Sequence, residues 1–128
     1  GDGRILIKNF NTKWNESVLI KSSEIEFLND IDVKKLVGEI ILNFEDIEKF
    51  FRYFQIKRNY RDVFDEIKLD FVYDLTLDKL ILNNLKIDSK SFKKIDKFLN
   101  EYNKSKNNSF NKVTIRNFIK KFFRIYSG

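Results

Sequence analysis

The sequence predicts an α+β fold: a bent, mostly antiparallel β-sheet of about five strands, one amphipathic helix inserted after the third strand, and two more helices at the C-terminal end. Three observations carry this. In "IKLDFVYDLTLDKLILNNLKID", Ile67, Leu69, Phe71, Tyr73 and Leu75 are apolar at every second position, the period of a half-buried strand. In "NFEDIEKFFRYFQI", Ile47, Phe50, Phe51 and Phe54 instead follow the i, i+3, i+4, i+7 spacing of one helix face. Several strand-like stretches also break their alternation with an odd step, which predicts bulges and hence curvature.

From the N-terminus, "RILIKNF" alternates at Ile5 and Ile7, after which Phe10 follows three positions later. In "SVLIKSSEIEFL", Val18 and Ile20 give way to Ile25 and Phe27 after a step of five. "KLILNNLKI" repeats the first case, with Leu82 and Leu85 three apart. Side chains alternate faces along a strand, so each odd step requires one inserted residue if its stripe is to stay on one face. Lys8-Asn9, Ser22-Ser23 and Asn83-Asn84 are the predicted bulges. "RILIKNF" and "KLILNNL" also match as a pattern: a basic residue, three aliphatics, a polar residue, Asn and an apolar residue.

For the hairpin, a two-residue loop at Leu77-Asp78 sets Leu75 against Leu80 and Tyr73 against Leu82. The inserted residue at Asn83-Asn84 then sets Phe71 against Leu85 and Leu69 against Ile87. The apolar stripe is thus Ile67, Leu69, Phe71, Tyr73, Leu75, Leu80, Leu82, Leu85 and Ile87.

The inserted helix is read over 44–56, with Asn43 and Asp46 able to cap it. "SFKKIDKFLNEY" has Phe92, Ile95, Phe98, Leu99 and Tyr102 on one face, capped by Ser89 or Ser91. After the polar "NKSKNNS", "TIRNFIKKFFRIY" is a third amphipathic helix capped by Thr114, with Ile115, Phe118, Ile119, Phe122, Phe123 and Tyr126 apolar. Arg116, Lys120, Lys121 and Arg124 surround that face, the build of a membrane-interface helix. A helix packing its aromatic face on the sheet reads the same, and packing is the reading preferred. Trp14 and Tyr60 suit either an interfacial or a structural place.

The 128 residues fit a single domain, 1–128, with 1–88 mainly β and 89–128 helical. Histidine and cysteine are absent, which removes Ser-His pairs, imidazole and thiolate ligands, and thiol nucleophiles. Asp70 and Asp74 share a strand face but stand about 13 Å apart, beyond the roughly 5–9.5 Å of a glycosidase pair. The four glycines form no phosphate-cradling loop. The expectation is therefore a non-enzyme with no cofactor, metal or catalytic residue. Net charge divides unevenly, −3 over residues 1–85 and +9 over 86–128. The basic third carries its aromatics on packing faces rather than on an open platform, so nucleic acid is not the expected partner. A run long and apolar enough to span a membrane is lacking. The chain lacks methionine even at position 1 and is read as a slice of a longer protein.

Taken together, "LILNNLKID", the hairpin "LDFVYDLTLDKLILNNLKID", the helix "FEDIEKFFRYFQIKRNYR" and the closing "TIRNFIKKFFRIYSG" resemble the C-terminal region of AsmA-like proteins of Gram-negative bacteria. The resemblance runs over residues 3–128. It implies a periplasmic, inner-membrane-anchored protein, its anchor in an N-terminal segment outside this chain, whose curved sheet forms an apolar groove for lipid. It further implies phospholipid and the remainder of the same polypeptide as partners, and a part in phospholipid transport and outer-membrane biogenesis. On that reading the hairpin stripe is the lipid groove. A fully packed interaction or scaffold domain, in which the same stripe is core, is the alternative, and a basic nucleic-acid-binding module ranks third. Exposure of Phe71, Tyr73, Leu82 and Leu85 separates the first two.

Overall fold

The computed structural model describes residues 3–106 and 108–128. Five strands form one antiparallel sheet in sequence order: β1 (Gly3–Trp14), β2 (Val18–Asn29), β3 (Lys34–Phe44), β4 (Glu66–Asp74) and β5 (Lys79–Ile87). Helix α1 (Ile47–Phe54) and a 3₁₀ turn at Arg58–Tyr60 lie between β3 and β4. Helices α2 (Lys93–Lys104) and α3 (Lys112–Ser127) follow β5. The α+β architecture expected from the sequence is the one observed.

Register shifts occur at two of the three positions the broken alternation indicates, in β2 and β5, whereas β1 keeps one register with β2 throughout, Asn9 and Ser23 standing opposite each other outside the pairing. Asn9 and Asn84, which occupy equivalent places in the two matching heptapeptides, both adopt left-handed backbone, φ 53° and 55°, a conformation Asn tolerates better than most residues. Leu69 faces the extra residue of β5, where the register shifts between Lys68 and Asp70. In β2 the shift lies between Lys21 and Ile25. There the Ser22 hydroxyl donates to the Glu39 carbonyl at 2.5 Å across to β3. Gly38 opposes this bulge, and a Cβ on it would meet the Glu24 carbonyl oxygen at 2.9 Å, so the close approach needs glycine.

The hairpin register differs from the expected one. Tyr73 pairs with Leu80 and Phe71 with Leu82, because the connection is the four residues 75–78 rather than Leu77-Asp78. Asp74 sets this longer turn by accepting from the backbone N–H groups of Thr76 and Leu77. Leu75 therefore leaves the strand stripe and is exposed in the turn. Helix boundaries shift for similar local reasons. Asp46 caps α1 by accepting from Lys49 N–H. Helix α2 begins after Phe92 without a side-chain cap, so neither Ser89 nor Ser91 serves. Asn111, not Thr114, caps α3, while Thr114 completes a capping box from the third helical position.

The core lies between one sheet face and the helices. Ile67, Leu69, Leu82, Leu85 and Ile87 of the hairpin meet Ile95, Phe98 and Leu99 of α2 and Phe122 and Phe123 of α3 in one apolar cluster, joined by Phe50, Phe51 and Phe54 of α1. Phe64 stacks on Phe123 with ring centroids 5.5 Å apart. The β5 edge is closed by side-chain and loop groups: Leu82 exchanges two hydrogen bonds with the Asn103 amide, and Leu80 N–H donates to the Asn108 carbonyl. The opposite edge, β1, is exposed along almost all its length.

Coverage of the sheet is partial. Pairing places Ile5, Ile7, Phe10, Ile25, Phe27 and Leu36 on the same face as the core residues Ile67 and Leu69, yet Ile5 is 53% exposed and Ile7 41%. The total accessible surface, 8402 Å², exceeds the roughly 7,200 Å² of a compact monomer of this mass. The helices cover β4, β5 and one end of β1–β3, and leave the other end bare.

Candidate functional site

Pairing of Ile20 with Leu42, and of Ile40 with Leu69, puts the apolar residues of β2 and β3 on the helix-side face. Over them lies an apolar groove of about 530 Å³. Val18, Ile20, Ile40 and Leu42 form its floor, Trp14, Phe50, Tyr53 and Phe54 one wall, and Phe110, Ile115 and Ile119 the opposing side. Lys112 and Arg116 are the only charged residues among its lining groups. The volume lies within the range of about 300–1,000 Å³ usual for small-molecule sites.

Local packing explains why the groove persists. Trp14 is held by α1, stacked on Phe54 at 5.6 Å and edge-on to Tyr53 at 4.9 Å and Phe50 at 6.0 Å. Helix α3 is fixed to the core by its second half, where Phe122 and Phe123 are buried, whereas Ile115 and Ile119 in the first half are only half-buried. Before α3, Asp78 at the hairpin tip accepts from Phe110 N–H at 3.2 Å and from the Tyr73 hydroxyl at 2.7 Å. The start of α3 is thereby tethered to the β4–β5 turn. That hydrogen bond, then burial and the Asp78 charge, raise the Tyr73 pKa above the ordinary phenol value.

The hairpin stripe nominated from the sequence lies elsewhere. Ile67, Leu69, Leu82, Leu85 and Ile87 are buried core, Phe71, Tyr73 and Leu80 are half-buried, and Leu75 is exposed. Of the four residues that separate the two readings, Leu82 and Leu85 are buried and Phe71 and Tyr73 half-buried, so this stripe answers to the packed-domain reading rather than to a lipid groove, and the open apolar surface lies on β1–β3. The nominated interfacial cations are also dispersed. Arg116 edges the groove, whereas Lys120 and Arg124 share a small cleft of about 120 Å³ with Lys57 and Tyr60. Lys121 lies on the α2 side, 5.9 Å from the Phe98 ring centre. Much of the apolar face they surround is occupied: Phe118 packs on Phe98 and Tyr102, and Tyr126 on Phe64 and Phe92. Trp14, left between structural and interfacial places by the sequence, is a groove wall. Its neighbours Val18 and Ile20 stand in a recognised stripe, but nothing local marked which stripe the helices would leave open.

A second, polar cleft of about 500 Å³ is lined by Glu39, Lys68, Asp70, Asn83, Asn84 and Lys86, with residues of 91–100. Two of its carboxylates are held by neighbours: Lys68 lies 3.5 Å from Glu39, and Asn84 donates to Asp70 at 2.7 Å. Asp74 is engaged in its turn. Among the described residues no group of three or more His, Cys, Asp or Glu side chains could hold a metal ion, and no helix is long and apolar enough to cross a membrane.

Comparison with protein-family models, curated proteins and solved structures finds no match to this chain.

Proposed function

We propose that this chain is a non-enzymatic lipid-handling module, part of an AsmA-like envelope protein, that seats a long apolar chain in the groove between β1–β3 and helices α1 and α3. The observation that carries the reading is the groove itself: about 530 Å³ walled almost wholly by aliphatic and aromatic side chains. Such a surface gains free energy from any apolar chain that displaces water from it and asks for no specific polar contact. Phospholipid transport and outer-membrane biogenesis, in a periplasmic setting with the rest of the polypeptide as anchor, are what the sequence resemblance adds. A protein-interaction domain is the second reading: the hairpin stripe is core, as that reading requires, and the bare apolar end of the sheet at Ile5, Ile7 and Phe10 is the surface it would offer.

Trp14, the only tryptophan, stands in the groove wall and reports occupancy. Titration with oleyl alcohol, an uncharged single-chain probe, should shift its emission saturably. Ile40→Asp in the floor, or Ile115→Phe filling the groove without a polar atom, should weaken this binding at least about tenfold, the effect of roughly 1.4 kcal/mol. Ile5→Asp, at the bare end, should leave it unchanged. Equal weakening by Ile5→Asp and Ile40→Asp would point to a general apolar face and favour the interaction domain.

A further inference from the structure

We infer that the groove takes the tail of a single-chain anionic amphiphile, a long-chain carboxylate whose head pairs with Lys112 and Arg116. This rests on the groove reading above and specifies its ligand. Three features of the site carry it.

The first is charge. Of the thirteen lining residues two are charged, both are cations, and none is an acid. Lys112 and Arg116 are four apart in the first turns of α3, hence on one side of the helix. Among the described residues neither joins an ion pair. Both are exposed and line the groove, which leaves their charged ends in water at its edge. The positive end of the α3 dipole lies at the same place.

The second is chemistry. A carboxylate at the rim would form charge-assisted hydrogen bonds, with Arg116 able to grip both oxygens through its planar fork. A neutral head group leaves both cations as they were. The tail goes to the floor of Val18, Ile20, Ile40 and Leu42, where no polar side chain waits for it.

The third is capacity. The groove's volume of about 530 Å³ is that of a site for one small molecule and accommodates one long alkyl chain along the floor.

The test compares oleate with oleyl alcohol by Trp14 emission, and adds vesicles of dioleoylphosphatidylglycerol as a third arm. Oleate should bind about tenfold or more tightly than the alcohol at low salt, the scale of a hydrogen-bonded charge, and the gap should narrow as salt rises. The double variant Lys112→Gln/Arg116→Gln, changed at two exposed positions and checked by its melting curve, should lower oleate affinity about tenfold or more and the alcohol's far less, so that the gap between the two probes closes. Equal affinities in the wild type overturn the carboxylate assignment while the groove stands. Binding of neither probe overturns both. Binding to the vesicles alone, lost in the double variant, shows that the cations read a lipid surface and likewise overturns the assignment.

Discussion

Replacing Asn103 by leucine removes the group that takes the place of a sixth strand. Leu82 N–H donates to Asn103 Oδ1 at 3.0 Å, and Asn103 Nδ2 donates to the Leu82 carbonyl at 2.9 Å. This is a backbone-like pair supplied by a side chain of α2. Leucine has the same number of side-chain heavy atoms and the same branching at Cγ, so the change is chiefly one of hydrogen bonding. Each bond contributes about 1 kcal/mol net, and each backbone group left without a partner at a buried residue costs about 1–3 kcal/mol. Partial access of water to the edge favours the lower part of that range, giving a destabilisation of about 2–4 kcal/mol. With an unfolding entropy near 2.1 cal/mol/K per residue, this lowers Tm by about 7–15 °C for a chain of 128 residues. Urea unfolding should show a lower midpoint with an unchanged slope. Size-exclusion at rising concentration should reveal self-association, since β5 becomes a second open edge. Asn103→Asp, which keeps Oδ1 and loses the donor, should lie between wild type and Asn103→Leu. A loss under about 0.5 kcal/mol with no new association, the range of ordinary surface substitutions, would refute the view that Asn103 closes this edge.

Deleting Asn84 should be far worse than substituting it: without the bulge Leu85 and Ile87 turn away from the core and Lys86 turns into it, so circular dichroism should find no cooperative melt. Asn84→Gly keeps the left-handed backbone and loses only the bond to Asp70, and its melting curve should remain cooperative and close to wild type; a folded deletion mutant would contradict the assigned register. Stability should also fall at alkaline pH. Tyr73 is raised by its hydrogen bond to Asp78, Tyr102 by burial, and Tyr126 by burial and the Asp62 and Asp88 charges. A phenol whose folded pKa exceeds the ordinary value of about 10 contributes stability that is whole below that value and disappears as pH rises through the folded value. Tyr102→Phe should flatten this decline in urea midpoints above about pH 10, and a midpoint independent of pH in the wild type would exclude it.

Much of this molecule is local and therefore legible in the chain. Period-two and period-3.6 apolar patterns are set by backbone geometry, which is why the α+β class and the helix faces of Phe51, Phe98 and Phe123 follow from spacing alone. The bulge of β5 follows for the same reason, since the odd step between Leu82 and Leu85 keeps its stripe on one face only with an inserted residue, whereas β1 crosses its odd step between Ile7 and Phe10 in unbroken register with β2. The turn at 75–78 did not follow, because Asp74 offers its carboxylate to Thr76 and Leu77 and extends a loop that residue identities alone make two residues long. Which apolar stripe is covered is not local at all. The stripes of β1–β3 and of the β4–β5 hairpin have the same period and the same residue types. Only the docking of α2 against β5, and of the Phe122–Phe123 end of α3 above the hairpin, buries one and leaves a groove on the other. Hydrophobic burial is non-directional and roughly proportional to area: it requires that an apolar face be covered, and the chain's connections and the lengths of its helices decide which one.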